Sequence, residues 1–221
     1  MKKLDRNKGQ EPICLSNYTS PPDIWDNVLV RDRWAIWVEL YKIQDRLCAY
    51  CESPAEQGKG KGHIEHLFHK GCEEYAHLTF SWSNLFGCCD SNEHCGHYKD
   101  QDLPGGIPRP YDPNLLLKPD EDEPEDYLKF LSTGIVKEKS GLNDEQQARA
   151  AETITAFNLK ATKLVTSRRN QIKIFEDRVL ALFEIVEQHS LSDDEFEEQY
   201  LEIQIESQSE AHRTAIRQAV F

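Results

Sequence analysis

No run of apolar residues in this chain approaches the roughly 20 that a bilayer-spanning helix needs. The longest, such as VLALF at 179–183, stop far short, so no membrane association is expected. After MKKLD comes the polar RNKGQEP, where a signal peptide would carry its apolar stretch, which argues against secretion and for the cytoplasm. No repeat of fixed period is present, and no low-complexity tract beyond the acidic DEDEPED. A Walker phosphate loop is missing, so nucleotide hydrolysis, if it belongs to the biology, falls to another protein. H-E-x-x-H is missing too, because in HIEHLFH the glutamate precedes its histidine, and no P-C-x-x-C follows the histidines. Metalloprotease and nucleic-acid deaminase patterns therefore fail. Basic charge is scarce: 26 Lys and Arg against 39 Asp and Glu leave a net charge of −13, a poor balance for gripping phosphate. The deficit is uneven, with 12 basic and 15 acidic residues in 1–100 but 14 and 24 in 101–221. That acidic half suits solvent or a partner protein better than nucleic acid.

At 221 residues the chain can bury one ordinary core, or a small module plus a larger lobe. Residues 1–22, with Pro12, Pro21 and Pro22, read as an extended arm along the surface. From Ile24 to Leu47, Val30, Trp34, Trp37, Val38 and Tyr41 recur at helical spacing and predict a helix that leads into the cysteines and braces them. Residues 53–62 (SPAEQGKGKG) read as a Gly-rich loop, and 104–126 as a Pro-rich, then acidic connection that marks a boundary. YLKFLSTGIVKEK reads as two short strands around Gly134, and the remainder as helix. Asn143 with Gln146, and Ser192 with Glu195, have capping-box spacing, which places helix starts near 144 and 193. Between them Val165, Ile172, Phe175, Val179, Leu182 and Val186 form one apolar stripe that also includes Arg168.

Six of the seven cysteines fall between Cys48 and Cys95, and six of the eight histidines within 48–100. Clustered thiols in an odd number suggest a metal in a reducing compartment rather than a disulfide framework. Cys48 and Cys51 are spaced C-x-x-C, which lets one tight turn present two thiolates to a tetrahedral Zn²⁺. Cys89 with Cys95 is the second pair chosen, with Cys88 the competitor for Cys89. Four thiolates close the coordination sphere, so such a zinc is structural.

Between these pairs, Glu65 and His66 lie in a short strand GHIEHLF, Asn84 opens a second strand NLFGCC, and His97 follows in CGHYKD. This pattern resembles the HNH nuclease superfamily, whose ββα-metal unit carries an acidic residue and a histidine on its first strand. The resemblance implies an α+β, mostly helical protein with a zinc-stabilised, treble-clef-like HNH module at 48–103. Residues 1–47 would be its arm and bracing helix. Residues 104–221 would supply the connection, a short hairpin and a helical lobe that docks a partner. It further implies that His66 polarises a water, that Glu65 and His97 hold a catalytic Mg²⁺ or Mn²⁺, and that Asn84 orients the loop beside His66. The family usually places its last residue directly after the cysteine; here Gly96 intervenes, and His94 competes with His97. Lys99 and Arg168 are the expected substrate-binding residues, as phosphate contacts.

CAYCE, IEH, WSNL, CGHYKD, YDPN, PEDYLKF, STGIV, ARAAETITAFNLK and LVTSRR together look like the HNH subunit of Septu-type antiphage systems and their retron-associated relatives. That likeness implies a DNA or RNA endonuclease working with a partner ATPase, joined in retron forms by a reverse-transcribed DNA and RNA hybrid. The alternative is a zinc-stabilised binding or adaptor subunit without catalysis.

Overall fold

The computed structural model of the chain describes residues 1–58, 60–189 and 191–221; Lys59, inside the expected Gly-rich loop, lies outside them. The first long element is helix α1, Val30–Gln44. It starts six residues later than the pattern predicts, because Trp25–Asn27 closes a 3-10 turn and Leu29 is extended. Its buried face is Ile36, Trp37, Leu40 and Ile43, whereas Val30 and Trp34 of the expected stripe are 78% and 53% exposed. Apolar residues surround this helix, so periodicity alone does not choose the face that packs.

Residues 1–22 are not a surface arm. Met1, Leu4 and Leu15 are buried, and Arg6 reaches inward to Asp120 Oδ2 (2.7 Å) while donating to Leu85 O (2.9 Å). Its guanidinium also covers the rings of Trp82 and Phe86. Strand β1 (His63–His66) pairs antiparallel with β2 (Leu85–Cys88), setting Glu65 opposite Phe86 and His66 opposite Leu85. A short helix, α2 (Cys95–Lys99), comes next.

After the connection come a single turn α3 (Pro124–Tyr127) and a second antiparallel pair, β3 (Leu128–Phe130) and β4 (Val136–Glu138). Gly134 at their turn has φ +81°, and a Cβ there would lie 2.2 Å from Val165 O, so both conformation and space require glycine. Helices α4 (Asp144–Ala156), α5 (Thr162–His189), α6 (Asp193–Ser207) and α7 (Arg213–Val220) complete the chain. Both expected capping boxes form: Asn143 and Gln146, then Ser192 and Glu195, satisfy each other's backbone N–H groups. Ile172, Phe175, Val179 and Leu182 of the α5 stripe are buried.

The protein is α+β and about half helical, with two small sheets. One hydrophobic cluster runs from Met1 and α1 through Cys48, Tyr50, Phe86 and Phe157 to Ile216, so the helical part packs directly on the cysteine-bearing turn. Among the described residues no helix is long and apolar enough to cross a membrane.

Candidate metal centre

Past α1 the chain turns sharply, with Asp45, Arg46 and Glu52 at positive φ. Cys48 N donates to Ser53 O, and Ala49 N to Gly87 O, so the C-x-x-C turn is stitched to β2. That contact brings Cys48 and Cys51 to Cys89, just beyond β2, and to Cys95 at the start of α2. Ligand atoms of the four lie within 4.8 Å of one another and all four residues are buried. The 3.7 Å between Cys51 Sγ and Cys89 Sγ matches the edge of about 3.8 Å in a tetrahedron with Zn–S bonds of about 2.3 Å. This buried four-cysteine cluster can hold a metal such as zinc. Cys88 stands beside it, 3.9 Å from Cys48 Sγ and accepting from Gly96 N. His94 also belongs here, its Nδ1 3.2 Å from Cys95 Sγ.

Four thiolates packed together at this point would need a compensating cation. Burial alone would raise every thiol; hydrogen bonds from the neighbouring cysteines instead hold Cys48 well below its ordinary value and Cys51 down to about 5. Cys95 is pushed up by burial and the same neighbours, and Cys89 by the neighbouring thiols, so four thiolates do not coexist unaided. Arg168 supplies part of the positive field. The sequence placed it on substrate, yet it is 1% exposed, donates to Leu159 O at 2.6 Å and lies over Phe130. Burial lowers its pKa, and the charges of Cys51, Cys95, Glu52 and Cys48 oppose that shift. The expectation of a phosphate contact is corrected: this guanidinium faces the thiols from within the core.

On the opposite side of α2 lies a cleft of about 390 Å³, lined by His63, Glu65, His69, Lys70, His97 and Asp100 among others. Strand alternation aims Glu65 at α2, where Gly96 passes so close that a Cβ would sit 2.2 Å from Glu65 Oε2. That carboxylate meets Lys99 Nζ at 3.0 Å through Oε1 and His63 Nε2 at 3.2 Å through Oε2. Burial would raise the Glu65 pKa, but the charges of Lys99 and His63 hold it far below the usual carboxylate range. Lys99 is therefore not an exposed phosphate contact. Buried, it reaches Glu65, Asp100 Oδ1 (2.5 Å) and His66 O (3.2 Å).

His97 Nε2 lies 2.8 Å from Asp90 Oδ1, and its ring stacks on His63 with centroids 3.8 Å apart. His63 Nδ1 is 3.7 Å from the same Asp90 oxygen. His63, Asp90 and His97 form a second group able to hold a metal. Burial opposes charge on His63, but the Cys88 sulfur and Glu65 prevail and push it up to about 11, the mark of surroundings that favour a cation.

His66 points the other way. It is 1% exposed, its Nε2 lies 3.0 Å from Thr79 O, and its ring meets Trp25 edge-on at 4.5 Å. Burial, followed by the charge of Lys70, lowers its pKa to about 3, so it is neutral. Asn84 accepts from Phe68 N and donates to Phe68 O and Leu78 O, closing the loop 67–84 beyond His66.

The structure thus brings Glu65 and His97 to one cleft and leaves His66 behind it. Neither His63 nor Asp90 was among the site residues expected from the sequence. His63 carried a signal, two residues before Glu65 and so on the same strand face; Asp90, in an irregular turn, carried none. No known family model matches the chain, and no curated protein matches it.

Proposed function

We propose that the chain is a metal-dependent HNH-type endonuclease that hydrolyses nucleic-acid phosphodiesters, with a structural Zn²⁺ in the four-cysteine cluster. The observation that carries this reading is the meeting of Glu65, from β1, and His97, from α2, in one open cleft beside that cluster. A divalent cation such as Mg²⁺ or Mn²⁺ held there would neutralise charge on the phosphoryl and leaving oxygens. The chain's own groups do the rest. His66 donates its Nε2–H to Thr79 O, which leaves the lone pair on Nδ1 and fixes a neutral tautomer, the state a general base needs. His69 lines the cleft itself, 3.8 Å from Asp100, and is the second imidazole available to take a proton. Asn84 holds the loop that follows His66 and carries His69.

We extend the proposal to an effector subunit of an antiphage complex with a partner ATPase. The supporting features are the resemblance of the motifs and the acidic helical half, whose exposed Ile174, Leu180, Phe183, Leu201 and Ile205 offer apolar contact area. A second reading, a binding subunit without chemistry, draws support from Lys99, whose ammonium occupies Glu65 Oε1.

The test is cleavage of plasmid, single-stranded DNA and total RNA with Mg²⁺ or Mn²⁺, by the chain alone and with its genomic neighbour. His97→Ala should abolish cutting while leaving the fold intact, Glu65→Gln should abolish it at a cost in stability because the Lys99 ammonium loses its partner, and His66→Ala against His69→Ala identifies the base. Wild-type preparations that cut none of these substrates under either condition would favour the second reading.

A further inference from the structure

We infer that His63, Asp90 and His97 form a transition-metal site distinct from the cysteine cluster, with Glu65 acting as its positioning residue. The inference rests on the nuclease reading for its purpose and on separate geometry for its ligands.

Three donors converge, two of which, His63 and His97, line the cleft. His97 Nε2 and His63 Nδ1 lie 2.8 and 3.7 Å from Asp90 Oδ1, and one ligand atom from each of the three residues fits within a 4.8 Å circle. A tetrahedral ion with bonds of about 2.0–2.1 Å has ligand edges of about 3.3 Å, between those two distances. Two of the donors are oriented from behind. With Nε2–H donated to Glu65 Oε2, Nδ1 is the nitrogen that can exchange its proton for a metal ion. That Nδ1 is buried and has no hydrogen-bond partner in the described residues, a costly condition that a bound cation would relieve. Asp90 Oδ2 accepts from Gly60 N at 2.6 Å, which turns Oδ1 towards the two rings.

A carboxylate behind a histidine is the usual way of fixing a metal-binding tautomer. Glu65 turns Oε2 to His63 and lies 3.0 Å from the Lys99 ammonium through Oε1, and so serves from the second rank rather than as a ligand. Three protein donors leave one position or more open towards the 390 Å³ cleft, the pattern of a catalytic rather than a closed site. Two imidazoles and one carboxylate favour Zn²⁺, Co²⁺ or Mn²⁺; Mg²⁺ prefers an all-oxygen octahedron and its own waters.

The experiment titrates the zinc-loaded full chain with Co²⁺ and reads the d–d absorption together with total metal by mass spectrometry. Expected is one Co²⁺ beyond the cysteine-bound zinc, with bands of nitrogen and oxygen ligands and no thiolate charge-transfer band. His63→Ala, Asp90→Ala and His97→Ala should each weaken it about ten-fold or more. Glu65→Gln should weaken it by roughly 10- to 100-fold while keeping the d–d spectrum, as loss of an orienting partner does. Mg²⁺ should not displace Co²⁺ at comparable concentration. Melting curves confirm that each variant folds. Absence of a second metal, or Co²⁺ affinity unchanged in the His63→Ala and Asp90→Ala variants, overturns the inference. Co²⁺ bound as described by a chain that cuts nothing keeps this site and removes the nuclease reading. Undiminished cutting by His63→Ala and Asp90→Ala does the reverse.

Discussion

Gly96 passes Glu65 so closely that a β-carbon at position 96 would lie 2.2 Å from the carboxylate oxygen Oε2. The residue directly after Cys95 is therefore the floor under the acidic group of the cleft, not a ligand beside it. Gly96→Ala should displace Glu65 from His63 and destabilise the fold by about 1–3 kcal/mol through overpacking. Urea denaturation measures the cost, and a Gly96→Ala protein as stable as wild type would show that Glu65 moves freely.

Cys48→Ala removes one of four sulfurs that lie in mutual reach. Because binding energy at a structural zinc is folding energy, the variant should lose zinc and melt far below wild type. Chelation of the wild-type protein should do the same. Equal melting temperatures with and without Cys48 would remove zinc from the account.

Lys99 and Glu65 are a buried pair 3.0 Å apart. Breaking it on one side strands a charge: Lys99→Met should cost about 3–5 kcal/mol, and the double variant Lys99→Met with Glu65→Gln should recover much of that. A double variant no better than the single one would show that the pair does not act as a unit.

His66 gives the stability a pH dependence. Its imidazole titrates at about 3 in the fold against 6.5 when free, because burial and then Lys70 disfavour its charged form; Glu65 and the Thr79 carbonyl work the other way, and Lys99 adds to Lys70. Between those values the unfolded chain binds a proton that the folded chain does not, so stability falls as pH drops through 6.5 towards 3. From pH 7.5 to pH 5 the loss is on the order of 2 kcal/mol. His66→Phe should flatten the difference, read as unfolding free energy at both pH values. An equal slope in the variant would place the titration elsewhere.

Local signals were the legible ones. The C-x-x-C turn, the two capping boxes and the hairpin around Gly134 depend on residues close in sequence, and each formed where its spacing puts it. Cys95 stood apart because residues 91–94 (SNEH) separate it from Cys88 and Cys89, whereas nothing in the sequence chose between those two neighbours. Less legible was whatever depends on the far side of a contact. Trp34 and Trp37 fit helical periodicity equally, and only the packing of β2 against α1 selects Trp37. Arg168 looked like a misplaced charge on an apolar stripe until the thiols appeared in front of it. Asp90 belongs to no pattern, and meets the His97 ring because Gly60 and His97 hold it from two sides.

The cysteine-bearing turn is held from outside its own segment. Cys95 N donates to Phe157 O, Tyr50 stacks on Phe157 at 4.1 Å, His212 Nδ1 meets Cys51 O, and Thr214 donates twice to Glu52. A fragment excised at residues 48 and 103 would retain all four sulfurs and the cleft residues, yet lose every one of these struts. The metal-binding segment is thus not self-contained: part of its scaffolding arrives from His212 and Thr214, 161 and 162 positions downstream of the residues they brace.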